Sequence, residues 1–199
     1  MASSGRIWCA TTNPGKIAEF RLGARRAGFE VEPLPGLREL AAPEETGATF
    51  ADNAGIKALY YSRFAPGPLF VDDSGLAVDA LGGAPGVYSA RYAGAEATDA
   101  ANNRLVLEHM EGETERTARF IAVVALAEAG KLIGTFEGVV EGQLLRAPRG
   151  TGGFGYDPLF FYPPFGCTLA EASAERKLEV SHRGRAMDKM FDYLRLARR

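Results

Sequence analysis

The sequence is poor in the residues that build covalent frameworks and metal cages. Only two cysteines, Cys9 and Cys167, and two histidines, His109 and His182, occur in 199 residues. A disulfide scaffold is therefore excluded, and no Cys/His group has zinc spacing. No apolar run reaches the roughly 18 residues of a membrane-spanning helix, and the start, MASSGRIWCATTN, lacks the apolar core of a signal peptide. A reducing cytoplasm is the expected setting. Basic excess is missing too: 23 Lys and Arg face 25 Asp and Glu, for a net charge of −2. That balance argues against a polymeric nucleic-acid binder and leaves open a small anion held by a local cation cluster.

What is present is a 46% hydrophobic share, enough for a sizeable core, in a length that suits one domain over residues 1–199. The 24 glycines and 11 prolines exceed the usual combined share of about 12% and call for many shaped turns. The pattern predicts an α/β unit with a mixed sheet. A strand over 6–10 leads to a helix over 16–27 stopped by Gly28, and a second strand spans 29–34. Thr49 caps a helix to about Phe64, with Asp52 in the capping-box position. A short strand over 69–71 runs into an Asp72-Asp73-Ser74-Gly75 turn, and a second follows over 76–81. Thr98 caps a helix to about Met110. Strands over 119–128, 132–136 and 139–144 come next, then a glycine-rich loop over 150–155, an apolar run over 159–162 and a final helix over 183–197.

Four constellations carry chemical possibilities. Thr11-Thr12-Asn13-Pro14-Gly15-Lys16 lies between a strand and a helix, where amide donors, the helix dipole and Lys16 suit a phosphate; taken alone, the string reads first as a capped helix with an exposed Lys. Asp72 and Asp73 close an apolar strand, at the edge where α/β sheets collect ligands. One carboxylate could bind Mg²⁺ through oxygen, and an acidic turn is the alternative. Gly150, Gly152 and Gly155 match a dinucleotide-binding string, but Asp157-Pro158 follows where that motif needs a helix. Glycines beside Phe154 and Tyr156 suit instead a loop on which a purine stacks. Lys177, Ser181, His182 and Arg183 add donors before the last helix, and Asn53 and Lys57 share a helix face. No Ser-His-Asp or Cys-His set suggests covalent catalysis. The sum points to a nucleoside triphosphate and hydrolytic phosphoryl chemistry.

Six strings in order resemble the inosine triphosphate pyrophosphatase family: Thr11-x-Asn13-x-x-Lys16, Phe50-x-x-Asn53-Ala54-x-x-Lys57-Ala58, Asp72-Asp73-Ser74-Gly75-Leu76, Gly82-Gly83-Ala84-Pro85-Gly86-x-Tyr88-Ser89-Ala90-Arg91, Gly152 to Pro158, and Ser181-His182-Arg183-Gly184. The resemblance implies an elongated mixed sheet with flanking helices, two lobes and a central cleft, in a homodimer. It implies cleavage of ITP, dITP and XTP to the monophosphate and pyrophosphate with Mg²⁺. By the same carry-over, Thr11, Thr12, Asn13, Pro14, Gly15, Lys16 and Lys57 hold phosphates. Asp73 is metal ligand and general base, Glu44 a second metal carboxylate, and Ser74 a nucleotide contact. Phe154 stacks on the base, with Gly155, Tyr156 and Asp157 lining its pocket, and Lys177, His182 and Arg183 complete recognition. Asp52 stands where relatives have Glu and is a secondary candidate. A donor such as Arg183 would favour the 6-carbonyl of hypoxanthine over the amino group of adenine.

Overall fold

The computed structural model describes residues 5–197. Its strands are β1 (Arg6–Cys9), β2 (Glu30–Pro33), β3 (Leu69–Val78), β4 (Thr117–Glu128), β5 (Lys131–Leu144), β6 (Phe160–Tyr162) and β7 (Cys167–Thr168). The helices are α1 (Pro14–Ala27), α2 (Phe50–Tyr61), α3 (Asp99–His109), α4 (Ala174–Val180) and α5 (His182–Leu196). Among the described residues the strands form one seven-stranded sheet in the order β2-β1-β3-β4-β5-β6-β7. It is mixed: β1 runs parallel to β2 and β3, whereas β6 is antiparallel to β5 and β7. The α/β class with flanking helices is as expected.

Local chemistry sets the element ends. Pro14 opens α1, where its missing N–H costs nothing, and Asn13 caps it. Gly28 closes it at φ +79°, with its N–H returned to the carbonyls of Ala24 and Arg25. Thr49 and Asp52 form the reciprocal capping box of α2. Ala129 and Gly130, both at positive φ, turn β4 into β5.

β3 departs from expectation. Instead of strand, turn and strand, it is one ten-residue strand with nine positions buried. Asp72 and Asp73 survive inside it because each carboxylate is ion-paired. Gly75 lets it continue, because a Cβ there would collide with the Ser89 hydroxyl and the Gly86 carbonyl. That hydroxyl accepts from the Leu76 amide at 2.9 Å and donates to Gly86 O at 2.6 Å. β5 likewise runs unbroken where two strands were expected; its last seven residues alternate buried and more open positions. β7 and α4, at two and seven residues, are too short to leave a periodic signal.

Contacts divide the chain into two compact units. The first holds residues up to Asp73, Ala122–Gly138 and residues from Arg183; the second holds Ser74–Ile121 and Val139–His182. The first has a core of Ile7, Phe20, Phe70, Leu126, Met190 and Phe191, among others. Phe20 and Phe70 meet edge to face at 4.8 Å, and Phe29 stacks on Phe191 at 5.1 Å. The second packs Leu76, Val106, Met110, Phe120, Leu159 and Phe160 together. Each fully buried large side chain contributes about 1.5–3 kcal/mol through apolar area removed from water.

Candidate active site

In the first unit, β1 delivers Thr11 and Thr12 to the mouth of an open cavity of about 410 Å³, lined also by Lys16, Glu45, Lys57 and Asp72. The start of α1 is already spoken for. Asn13 Oδ1 accepts from the amides of Gly15 at 2.8 Å and Lys16 at 3.1 Å, and the Asn13 amide donates to Thr11 Oγ1 at 3.2 Å. Pro14 has no amide hydrogen to offer. Thr11, Thr12 and Lys16 line the cavity, while Asn13, Pro14 and Gly15 shape the turn.

The two strand carboxylates have different partners because successive strand residues face opposite sides. Asp72 is sealed in a charge chain: Lys16 Nζ lies 2.8 Å from its Oδ1, Arg183 Nε donates to its Oδ2 at 2.9 Å, and Arg183 Nη1 donates to Glu19 Oε2 at 2.6 Å. Burial pushes the Asp72 carboxyl up, but Arg183 and Lys16 outweigh it and hold the group far below the usual carboxylate range. Burial lowers the Lys16 ammonium, opposed by Asp72. Asp72 therefore contributes stability that is fully present above the unfolded carboxyl pKa and is lost as the pH falls through the folded value. Urea midpoints should fall between about pH 5 and pH 3, and Asp72→Asn should flatten that dependence. An equally steep fall in the variant would place the acid sensitivity elsewhere.

Asp73 is the carboxylate paired through one oxygen only. Its Oδ1 accepts from Lys57 Nζ at 2.5 Å, and its buried Oδ2 has no hydrogen-bond partner. Burial raises its pKa above that of an ordinary aspartate, against the pull of Lys57. Lys57 also lies 3.2 Å from Glu45 Oε1. The segment carrying Glu45 is drawn onto α2 by Asn53, whose Oδ1 accepts from the Gly47 amide at 2.8 Å. Only glycine fits there, since a Cβ at Gly47 would meet the side chains of Asp52 and Asn53. Glu44, one residue earlier, is exposed. Asp52 is occupied as the helix cap, accepting from the Thr49 amide at 3.1 Å and hydroxyl at 2.7 Å.

Mg²⁺ is held by one or two carboxylates plus substrate phosphates more often than by a cage of side chains. Asp73 with its unpartnered oxygen, and Glu45 on the same lysine, fit that pattern. Among the described residues no three His, Cys, Asp or Glu side chains gather as a larger set.

The second unit carries the aromatic loop. Phe154 is half-buried; its amide donates to Asp157 Oδ2 at 2.8 Å, and the same oxygen accepts from Lys177 Nζ at 2.5 Å. Lys177 Nζ also lies 4.7 Å from the Phe154 ring centre. Lys177 thus belongs with the ring, whereas Lys16 and Lys57 belong with Asp72 and Asp73. Tyr156 is a core residue: buried, with its hydroxyl donating to Ser89 O at 2.8 Å. His182 is buried flat against Phe120, ring centres 4.8 Å apart. Ser74 follows Asp73 on β3, partly exposed. Arg183, expected to read a base, is 2% exposed and binds Asp72 and Glu19.

Sequence alone does not single out Glu19, Asp99 or Asn103, and it leaves Glu45 without a role. Gly47 is the only local clue to Glu45; the others become visible only through their distant partners.

A strand-borne carboxylate with an unpartnered oxygen stands beside cations and threonine hydroxyls on a mixed α/β sheet, a donor set of the kind that suits a phosphate. The chain belongs to the Ham1 family, which it matches over residues 7–193. It is 48% identical over 190 residues to a dITP/XTP pyrophosphatase of Acidobacterium capsulatum, covering 91% of this chain and 94% of that one. It is also 48% identical over 190 residues to a dITP/XTP pyrophosphatase of Thermus thermophilus, covering 94% and 90%. The structure of a HAM1 protein from Coxiella burnetii superposes with a TM-score of 0.84 at 39% identity, covering 96% of this chain and 98% of that one.

Proposed function

We propose that this chain hydrolyses the non-standard purine nucleoside triphosphates ITP, dITP and XTP to the monophosphate and pyrophosphate. The observation that carries the reading is Asp73, whose buried, unpartnered carboxylate oxygen stands beside Lys57 in a chain nearly half identical to dITP/XTP pyrophosphatases. Thr11, Thr12, Lys16 and Lys57 take the phosphate oxygens. Asp73 Oδ2 accepts the proton of the attacking water, and burial makes it a better base than a solvated aspartate. Asp73 and Glu45 would hold Mg²⁺, which would supply neutralisation of phosphate charge. Phe154 stacks on the base, with Lys177 and Asp157 at its edge and His182 and Ser74 as further nucleotide contacts. Lys177 donates to a carbonyl and not to an amino group, which favours 6-oxo purines over adenine. The same reading makes the chain a cytoplasmic homodimer, its two cysteines kept reduced; sedimentation mass tests the dimer.

A panel of ITP, dITP, XTP, GTP and ATP with Mg²⁺ and product analysis tests the activity. Monophosphate plus pyrophosphate from the 6-oxo substrates is expected. Diphosphate plus orthophosphate, or equal turnover of ATP, overturns the reading. Because every purine offers a face to stack on, Phe154→Ala should weaken ITP and ATP by similar factors, about 1–3 kcal/mol each in kcat/KM. A loss confined to ITP would give the ring a part in base choice.

A further inference from the structure

In the loop that presents Phe154, Gly152 and Gly153 lie close against Ala170 and Asp157, but Gly155 has little packing to hold it. Gly155 sits at φ +62°, in the left-handed region, and a Cβ there would touch nothing within 4 Å. Glycine backbone is the costliest to order. The loop also borders an open cavity of about 550 Å³, lined by Asp99, Asn103, Gly152, Gly153, Phe154 and Gly155 among others. At Gly155 something other than side-chain packing must fix the peptide that follows Phe154.

Two side chains of α3 do so. Asp99 Oδ2 accepts from the Gly155 amide at 2.6 Å, and Asn103 Nδ2 donates to the Gly155 carbonyl at 2.8 Å. At i and i+4 they share one face of the helix, and between them they satisfy both backbone groups of one glycine. On the preceding side, Asp157 takes the Phe154 amide. Asn102, next in the chain, turns elsewhere and binds the Ala93 amide and the Ala90 carbonyl. α3 itself is well anchored, with Thr98 as its cap and Val106 fully buried.

We propose that Asp99 and Asn103 are positioning residues that clamp the Gly155 peptide and thereby aim the Phe154 ring at the purine base. This rests on the stacking role given to Phe154 above. Without the clamp, the glycine loop samples other conformations and only a fraction presents the ring, so apparent affinity falls by that fraction. The effect belongs to base binding and not to water attack.

The test uses the full-length enzyme and the variants Asp99→Ala, Asp99→Asn and Asn103→Asp. Asn103→Asp keeps the shape but replaces the donor by an acceptor facing a carbonyl. Asp99→Asn keeps an acceptor for the Gly155 amide. Asp99→Ala and Asn103→Asp should each raise KM for ITP about tenfold, the worth of one such hydrogen bond. Turnover at saturation should stay within about a factor of two, and Asp99→Asn should recover most of the loss. Inorganic tripolyphosphate, which has no base, should inhibit all variants equally. Combined with Phe154→Ala, either clamp variant should add little, because the ring it aims is gone. Unchanged KM in folded variants, a parallel loss for tripolyphosphate, or full additivity with Phe154→Ala overturns the inference. If Phe154→Ala itself leaves KM for ITP unchanged, the stacking reading falls first. If Phe154→Ala raises KM and the clamp variants do not, only the clamp falls.

Discussion

Asp73→Asn is expected to lower kcat by about 10²–10⁴ from loss of the general base alone, with weakened cation binding adding to it. The substitution preserves shape and removes the charge that Lys57 and the cation need. Its amide cannot accept the proton of the attacking water at Oδ2, the oxygen that is unpartnered in the native site. Nucleotide binding should persist in part, because Lys16 and the threonine hydroxyls are untouched. Activity of the native enzyme should fall as the pH drops through the Asp73 pKa, which burial places above that of an ordinary aspartate. The acidic limb of its kcat/KM profile should therefore lie at higher pH than for a solvated carboxylate. Measured kcat and an independent binding constant for ITP separate the two effects. A folded Asp73→Asn enzyme with near-native turnover would remove Asp73 from the mechanism.

Arg183→Ala is expected to act first on stability. The guanidinium is among the most deeply buried groups in the protein, and its partners Asp72 and Glu19 are buried with it. Removing one member of a buried ion-pair set strands the others, at a cost of about 3–5 kcal/mol. Asp72 would retain only Lys16, and Glu19 would lose the charge beside it. Lys16 should then be drawn toward Asp72 more strongly and be less available to phosphate, raising KM for every triphosphate alike. Denaturant unfolding gives the stability loss, and kcat/KM for ITP, XTP, GTP and ATP gives the rest. A uniform loss across the four substrates supports a brace acting through Asp72. A loss concentrated in the 6-oxo substrates with unchanged stability would return Arg183 to the base-reading role that the family resemblance implies.

Much of the local architecture was legible because its causes act over three or four residues. Gly28 after Ala27, Thr49 with Asp52, and Thr98 before Asp99 each cap a helix from within one turn. The glycine loop around Phe154 and the acidic pair Asp72-Asp73 could be marked as candidate sites for the same reason: residue type and spacing restrict what the backbone and a ligand can do. The continuity of β3 could not be marked. Asp-Asp-Ser-Gly reads as a turn until cations from α1, α2 and α5 neutralise the two carboxylates and allow them to be buried.

The same holds for the division of labour. Arg183 meets Asp72 across 111 residues and Glu19 across 164, and Asp99 meets Gly155 across 56. Motif order marks Asp72, Asp73, Lys16, Lys57 and Arg183 as a set. Which carboxylate is paired through both oxygens and which through one depends on which cation folding brings to each, and on how much water remains around it. Charge pairing and burial are properties of the packed chain, so the roles of Asp72, Asp73, Glu45 and Arg183 emerge only when the distant segments meet.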